Sequence, residues 1–153
     1  MTRQRGMTLI ELVISIVIIG ICAAALFSAM AAITGRSADP LLRQQSLAIA
    51  EAYLEEILTQ PYFDPASGNE CPSPPASRVL FDNVCDYNGL DDSGARDSSG
   101  NALAALANYR VQVAVGSGSA WAGVPAGAVL SVDVTVTDPQ GQTLLLRGLR
   151  TRY

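Results

Sequence analysis

Residues 12–35 carry no charged side chain, and this apolar run constrains the chain more than anything else in it. A helix that crosses a bilayer needs about 20 apolar residues to cover ~30 Å of hydrocarbon, and the run meets that length. Arg3 and Arg5 stand just before it. Basic residues hold their flank on the cytoplasmic side, so the C-terminus is expected to lie outside. Glu11 heads the run, although a carboxylate carried to the bilayer centre is disfavoured by about 2.5–3.5 kcal/mol. A charge in that position calls for a partner.

Three readings compete for this segment. A secretory signal peptide would use Ala29-Met30-Ala31 as a small-x-small cleavage site after an apolar core. A plain signal anchor would keep the helix and give Gly6 no special role. In the third reading the cut falls before the helix and leaves it on the mature protein. Glu11 favours the third, because the core of a signal peptide gains nothing from a carboxylate at its head. The string Gly6-Met7-Thr8-Leu9-Ile10-Glu11 resembles the N-terminal motif of type IV pilins and pseudopilins. That resemblance implies a membrane prepilin peptidase that cuts after Gly6 and N-methylates the new terminus at Met7. Met7 stands where phenylalanine is commonest in that family, and methionine is an accepted variant. It divides the chain into a leader (1–6), a transmembrane and assembly helix (7–35) and a periplasmic globular domain (36–153). Physically, a cationic amine at Met7 and the Glu11 carboxylate each suffer in lipid, and pairing one subunit's amine with a neighbour's Glu11 relieves both. Such a pairing would fix the axial register of a filament.

The rest of the composition excludes more than it specifies. Net charge is −4 with ten basic residues, all arginines and scattered, whereas nucleic-acid binding uses clustered basic residues. The chain lacks histidine, the usual general base and the commonest metal ligand, so an enzyme is not expected. Cys22 lies in the apolar run and reads as a small apolar residue. Cys71 and Cys85 lie beyond it. In an oxidising compartment these two could bond, closing a loop of about 15 residues worth ~3 kcal/mol in the chain-entropy model; the alternative is two separate buried thiols.

Asp39 and Pro40 suit a helix N-cap and first turn. From Pro40 to about Thr59, Leu42, Leu47, Ile49, Ala50, Tyr53, Leu54, Ile57 and Leu58 share one half of a helical wheel, and Gln44, Gln45, Glu51, Glu55 and Glu56 the other. This spacing predicts an amphipathic helix with its glutamates in solvent. Pro61, Pro65, Pro72, Pro74 and Pro75 then mark a long irregular connection. Residues 81–92 read as a surface loop with a turn at Asn88-Gly89. Their oxygen-rich members Asp86, Asn88, Asp91 and Asp92 form a weak Ca²⁺ candidate, without EF-hand spacing; otherwise no cofactor is expected. Alternation predicts strands through Tyr109, Val111, Val113 and Val115, through Leu130, Val132, Val134 and Val136, and, after a turn at 138–141, over 142–151. Trp121, between the first two, reads as a lid on the core. The fold class expected is α+β, a long N-terminal helix with an amphipathic half packed on a small antiparallel sheet.

This order of parts is also that of type IV pilins. Three stretches, 39–45, 50–58 and 81–90, are similar to minor pilins of the mannose-sensitive haemagglutinin (MSHA) pilus, D type. The resemblance implies a non-enzymatic pilus subunit of the bacterial inner membrane, with its domain in the periplasm, later carried to the cell surface in a pilus active in cell adhesion. Its partners would be the peptidase, the major and other minor pilins, the assembly platform and membrane lipid. Two other readings stand beside it: a type II secretion pseudopilin, and a membrane-anchored periplasmic domain that binds a metal ion or sugar.

Overall fold

In the computed structural model, residues 8–36 and 39–152 are described, with the side chains of 32–36 and 39 excepted. The chain divides into two compact units between Leu41 and Leu42.

The first unit is built on helix α1 (Leu9–Arg36), whose stretch Leu9–Ala31 is long and apolar enough to cross a membrane. Its large apolar side chains, Ile14, Ile18, Leu26 and Phe27 among them, are exposed. Exposure of this extent is unfavourable in water by roughly 25 cal/mol per Å² of apolar surface, and neutral in hydrocarbon. Cys22 is exposed on the same helix with a free thiol.

Helix α2 (Asp39–Thr59) supplies the second unit with its core face. Ile49, Ala50, Tyr53 and Ile57 are buried, and Leu42, Leu54 and Leu58 pack at the margins. Glu51 and Glu55 are exposed, as the wheel predicts, and Leu47 remains 39 % exposed at the rim. The helix ends where Pro61 follows Gln60, since a proline disfavours helical geometry in the residue before it. The last turn closes through Gln60 N–H to the Ile57 carbonyl at 3.1 Å.

The sheet is fully antiparallel, with strands in chain order: β1 (Asp91–Ser93), β2 (Arg110–Ser117), β3 (Val129–Thr137) and β4 (Thr143–Thr151). Val111 stands opposite Val136 and Val113 opposite Val134. Period-2 alternation thus sends Val111 and Val113 of β2 and Val132, Val134 and Val136 of β3 into the core shared with α2, and their polar neighbours outward. Each fully buried valine, such as Val111, Val132, Val134 and Val136, contributes about 1.5–3 kcal/mol. On β4, Gly148 lies directly beneath α2: a Cβ there would come within 2.8 Å of Leu54 Cδ1 and 3.0 Å of Leu58 Cδ1.

Two regions depart from the sequence reading. Residues 81–92 are not a surface loop. Asn83, Val84, Cys85, Asp86 and Tyr87 are buried, and Asp91–Ser93 form a fourth strand paired with β2. A 3-10 turn at Val84–Tyr87 is held by a capping box between Asn83 and Asp86, so polar residues that suggest a loop instead satisfy buried backbone. The second departure is Trp121, which does not cover the core. Ala122 and Gly123 both have positive φ (48° and 86°), forming a tight turn closed by reciprocal bonds between Trp121 and Val124. The indole is 57 % exposed at its corner.

Candidate functional site

At the head of α1, Thr8 precedes the first helical residue, and its hydroxyl oxygen accepts the Glu11 N–H at 3.4 Å. The Leu12 N–H donates to the Thr8 carbonyl at 3.2 Å and Ser15 Oγ donates to the Glu11 carbonyl at 2.7 Å. Thr8-Leu9-Ile10-Glu11 therefore has the spacing of a capping box, of which the hydroxyl half is formed. This signal was present in the sequence and is local. A carboxylate in the first turn also complements the helix dipole, by about 0.3–1 kcal/mol. Glu11 is exposed, and none of the ion pairs among the described residues includes it. Gly6 and Met7, the expected cleavage and methylation positions, lie outside the described residues.

In the globular unit, Cys71 and Cys85 form a disulfide with Cα atoms 5.2 Å apart. Because Cys85 is buried in the Val84–Tyr87 turn, the bond ties the proline-rich connection to the core. The four oxygen-bearing residues considered for Ca²⁺ each accept bonds from protein donors. Asp86 accepts the Asp82 N–H at 2.9 Å, and Asn88 accepts the Val115 N–H at 3.0 Å. Asp91 receives both Arg110 Nε and a terminal guanidinium nitrogen; that pairing holds its carboxyl below the usual range. Asp92 binds Arg78 at 2.7 Å, Arg96 at 3.4 Å and the Tyr53 hydroxyl at 2.9 Å. Among the described residues no group of three or more His, Cys, Asp or Glu is placed to hold a metal.

Asp92 belongs to a buried network that sequence reasoning missed. Arg78, 8 % exposed, bridges Asp92 and Glu56, the latter at 3.2 Å, and stacks 4.9 Å from the centroid of the Tyr53 ring. Tyr53 also accepts the Arg96 N–H at 2.7 Å, and the Tyr87 hydroxyl donates to Glu56 at 2.8 Å. Burial, then the neighbouring carboxylate, pushes the Tyr87 hydroxyl well above its ordinary value. Glu56 is thus not a member of the solvated face: its side chain is 16 % exposed and holds the connection onto α2. The network has no nucleophile activated by a base; its arrangement fastens chain segments that lack apolar periodicity.

With this geometry in place, comparison with known families bears on the N-terminus. Residues 1–27 match the family model of the prokaryotic N-terminal methylation motif. The match supports a type IV pilin-like or pseudopilin-like N-terminal segment, and the helices and four-stranded antiparallel sheet are consistent with the α+β pilin fold. The match implies a structural subunit, processing by a prepilin peptidase and assembly with other pilins. No curated protein and no solved structure matches the chain.

Proposed function

We propose that the chain is a minor pilin of an MSHA-like type IV pilus, cut after Gly6, N-methylated at Met7, and assembled through pairing of Glu11 with the Met7 amine of a neighbouring subunit. The observation that carries this reading is the methylation-motif match over residues 1–27 on a helix whose stretch Leu9–Ala31 suits a membrane. An exposed Glu11 among apolar side chains supports the pairing role, because a lone carboxylate in hydrocarbon is costly. The closer likeness to MSHA minor pilins rests on residues 39–45, 50–58 and 81–90. In this reading the chain resides in the inner membrane with its globular unit in the periplasm before joining the filament.

Mass spectrometry of the chain recovered from cells with and without a prepilin peptidase tests the proposal. The expected mature form begins at Met7 and carries one added methyl group, and it disappears without the peptidase. A form beginning at Ala32, or an uncut chain in both strains, sinks the reading.

A further inference from the structure

β4 is an outer strand of the sheet, paired with β3 over nine unbroken positions from Thr137↔Thr143 to Val129↔Thr151. Two bonds flanking that ladder establish which backbone groups it leaves free. The Asp138 N–H donates to the Gln142 carbonyl at 2.9 Å, and the Arg152 N–H to the Ala128 carbonyl at 3.0 Å. Bonded and non-bonded pairs alternate along an antiparallel ladder. Even-numbered residues of β4 therefore bond to β3, and the N–H and C=O groups of Thr143, Leu145, Arg147, Leu149 and Thr151 point away from it. Among the described residues no backbone bond outside the ladder reaches those groups.

The opposite edge is short, and β2 beyond it is taken up. β1 is only three residues long, Asn88 Oδ1 takes the Val115 N–H, and the Leu90 carbonyl takes the Val113 N–H at 2.9 Å. Natural sheets blunt long edges with bulges, prolines, short strands or charged side chains; β4 is nine residues long without proline, its pairing with β3 is unbroken, and the only charges it carries are arginines. Its outward face carries Leu145, 57 % exposed, and Leu149, 37 % exposed. Leu149 shares a shallow depression with Trp121 and Arg147.

Charge narrows the occupant. Residues 143–152 contain Arg147, Arg150 and Arg152 and no carboxylate, in a chain of net charge −4. Arg147 gives Nε and one terminal nitrogen to Asp133, which uses two of its five donors and leaves the rest for a second carboxylate. Arg150 donates to the Gln60 carbonyl and Arg152 lies over the Phe63 ring, so neither meets a carboxylate among the described residues. A second copy laid antiparallel would bring this carboxylate-free, arginine-bearing strip beside its own twin, whereas an acidic segment supplies the missing negative charge.

We propose that the free edge of β4 binds an extended acidic segment of another polypeptide by strand addition. Its backbone bonds to the outward groups of residues 143–151. Its side chains place a carboxylate opposite Arg147 and apolar residues opposite Leu145 and Leu149, a pattern of apolar-x-acidic-x-apolar. The proposal stands independently of the N-terminal reading.

The test uses the full chain in detergent micelles and two labelled synthetic peptides of equal length. One carries Leu-Thr-Glu-Thr-Leu at its centre, the other Leu-Thr-Lys-Thr-Leu. The glutamate peptide is expected to bind at least about tenfold more tightly, as complementary charge requires, and to slow exchange of the Leu145, Arg147 and Leu149 amides. Leu145→Pro removes an outward N–H but no bond to β3, and should abolish binding; Arg147→Glu, a second variant that keeps every backbone amide, should reverse the preference between peptides. Equal affinity for the two peptides, no binding of either, or binding that survives both substitutions overturns the proposal. So does concentration-dependent protection of the same amides without peptide, which would mark self-pairing.

Discussion

Glu11 and Arg78 show how differently two charged residues can be used. Glu11 has two physical roles open to it, a helix-start carboxylate and an intersubunit counter-ion, and a single substitution separates them. Glutamine serves in a capping box as glutamate does, but carries no charge to pair with an amine. Glu11→Gln should therefore be cut and methylated normally. Its recovery in sheared filaments should fall at least about tenfold, equivalent to ~1.4 kcal/mol or more lost per contact. Normal recovery would leave only the capping role. Arg78 is the converse case, a cation enclosed by Glu56, Asp92 and Tyr53. Removing it strands two largely buried carboxylates, a loss that commonly costs 3–5 kcal/mol, about the range expected for Arg78→Met in urea unfolding of the full chain. Adding Glu56→Gln and Asp92→Asn should restore much of that loss; an Arg78→Met chain as stable as the parent would show the network to be dispensable.

At the level of elements, legibility in the sequence followed periodicity. α1 was readable because charge is absent over residues 12–35, and β2 and β3 because valine alternates with polar residues. β1 was not, since Asp91-Asp92-Ser93 is polar throughout, and a strand of three residues has too little length for a pattern. Arg78 and Glu56, 22 positions apart, likewise leave no periodic trace, because long-range polar pairing depends on how the chain turns between them. Trp121 misled for a related reason: its bulk suggests burial, but the positive φ of Ala122 and Gly123 turns the backbone so that the ring stays outside. The disulfide is the element-scale device that secures the poorly patterned region. Replacing Cys71 and Cys85 together by serine should lower the unfolding free energy by about 3 kcal/mol, the chain-entropy value for a loop of this size. The same two-serine chain should lose its response to reductant; a parent chain equally stable with and without reductant would refute the contribution.

For the molecule as a whole, acid is the condition to which the globular unit should respond. Asp91 and Asp133 are held below the usual carboxylate range by Arg110 and Arg147. Asp97 is held there by Asn101, and Asp64 by the Ser67 hydroxyl and the Ala66 N–H. A carboxylate with a depressed folded-state pKa contributes stability that is complete above its unfolded value, near 3.9, and is lost as pH falls through the lower folded value. With no histidine in the chain, no side chain of ordinary pKa titrates between about pH 5 and 8. The melting temperature should therefore be flat across that interval and drop below about pH 4. A marked slope between pH 6 and 8 would contradict this assignment of the titrating groups.

The position of Trp121 also decides how this protein can be watched. It is the chain's one tryptophan, and it sits at an exposed turn beside Leu149 and Arg147, whereas Tyr53, Tyr62, Tyr87 and Tyr109 are buried. Indole emission should consequently change little while the core melts, and change clearly when a strand settles against β4. Tyrosine absorbance should do the reverse, giving two intrinsic optical channels, one for folding and one for docking, without any added label.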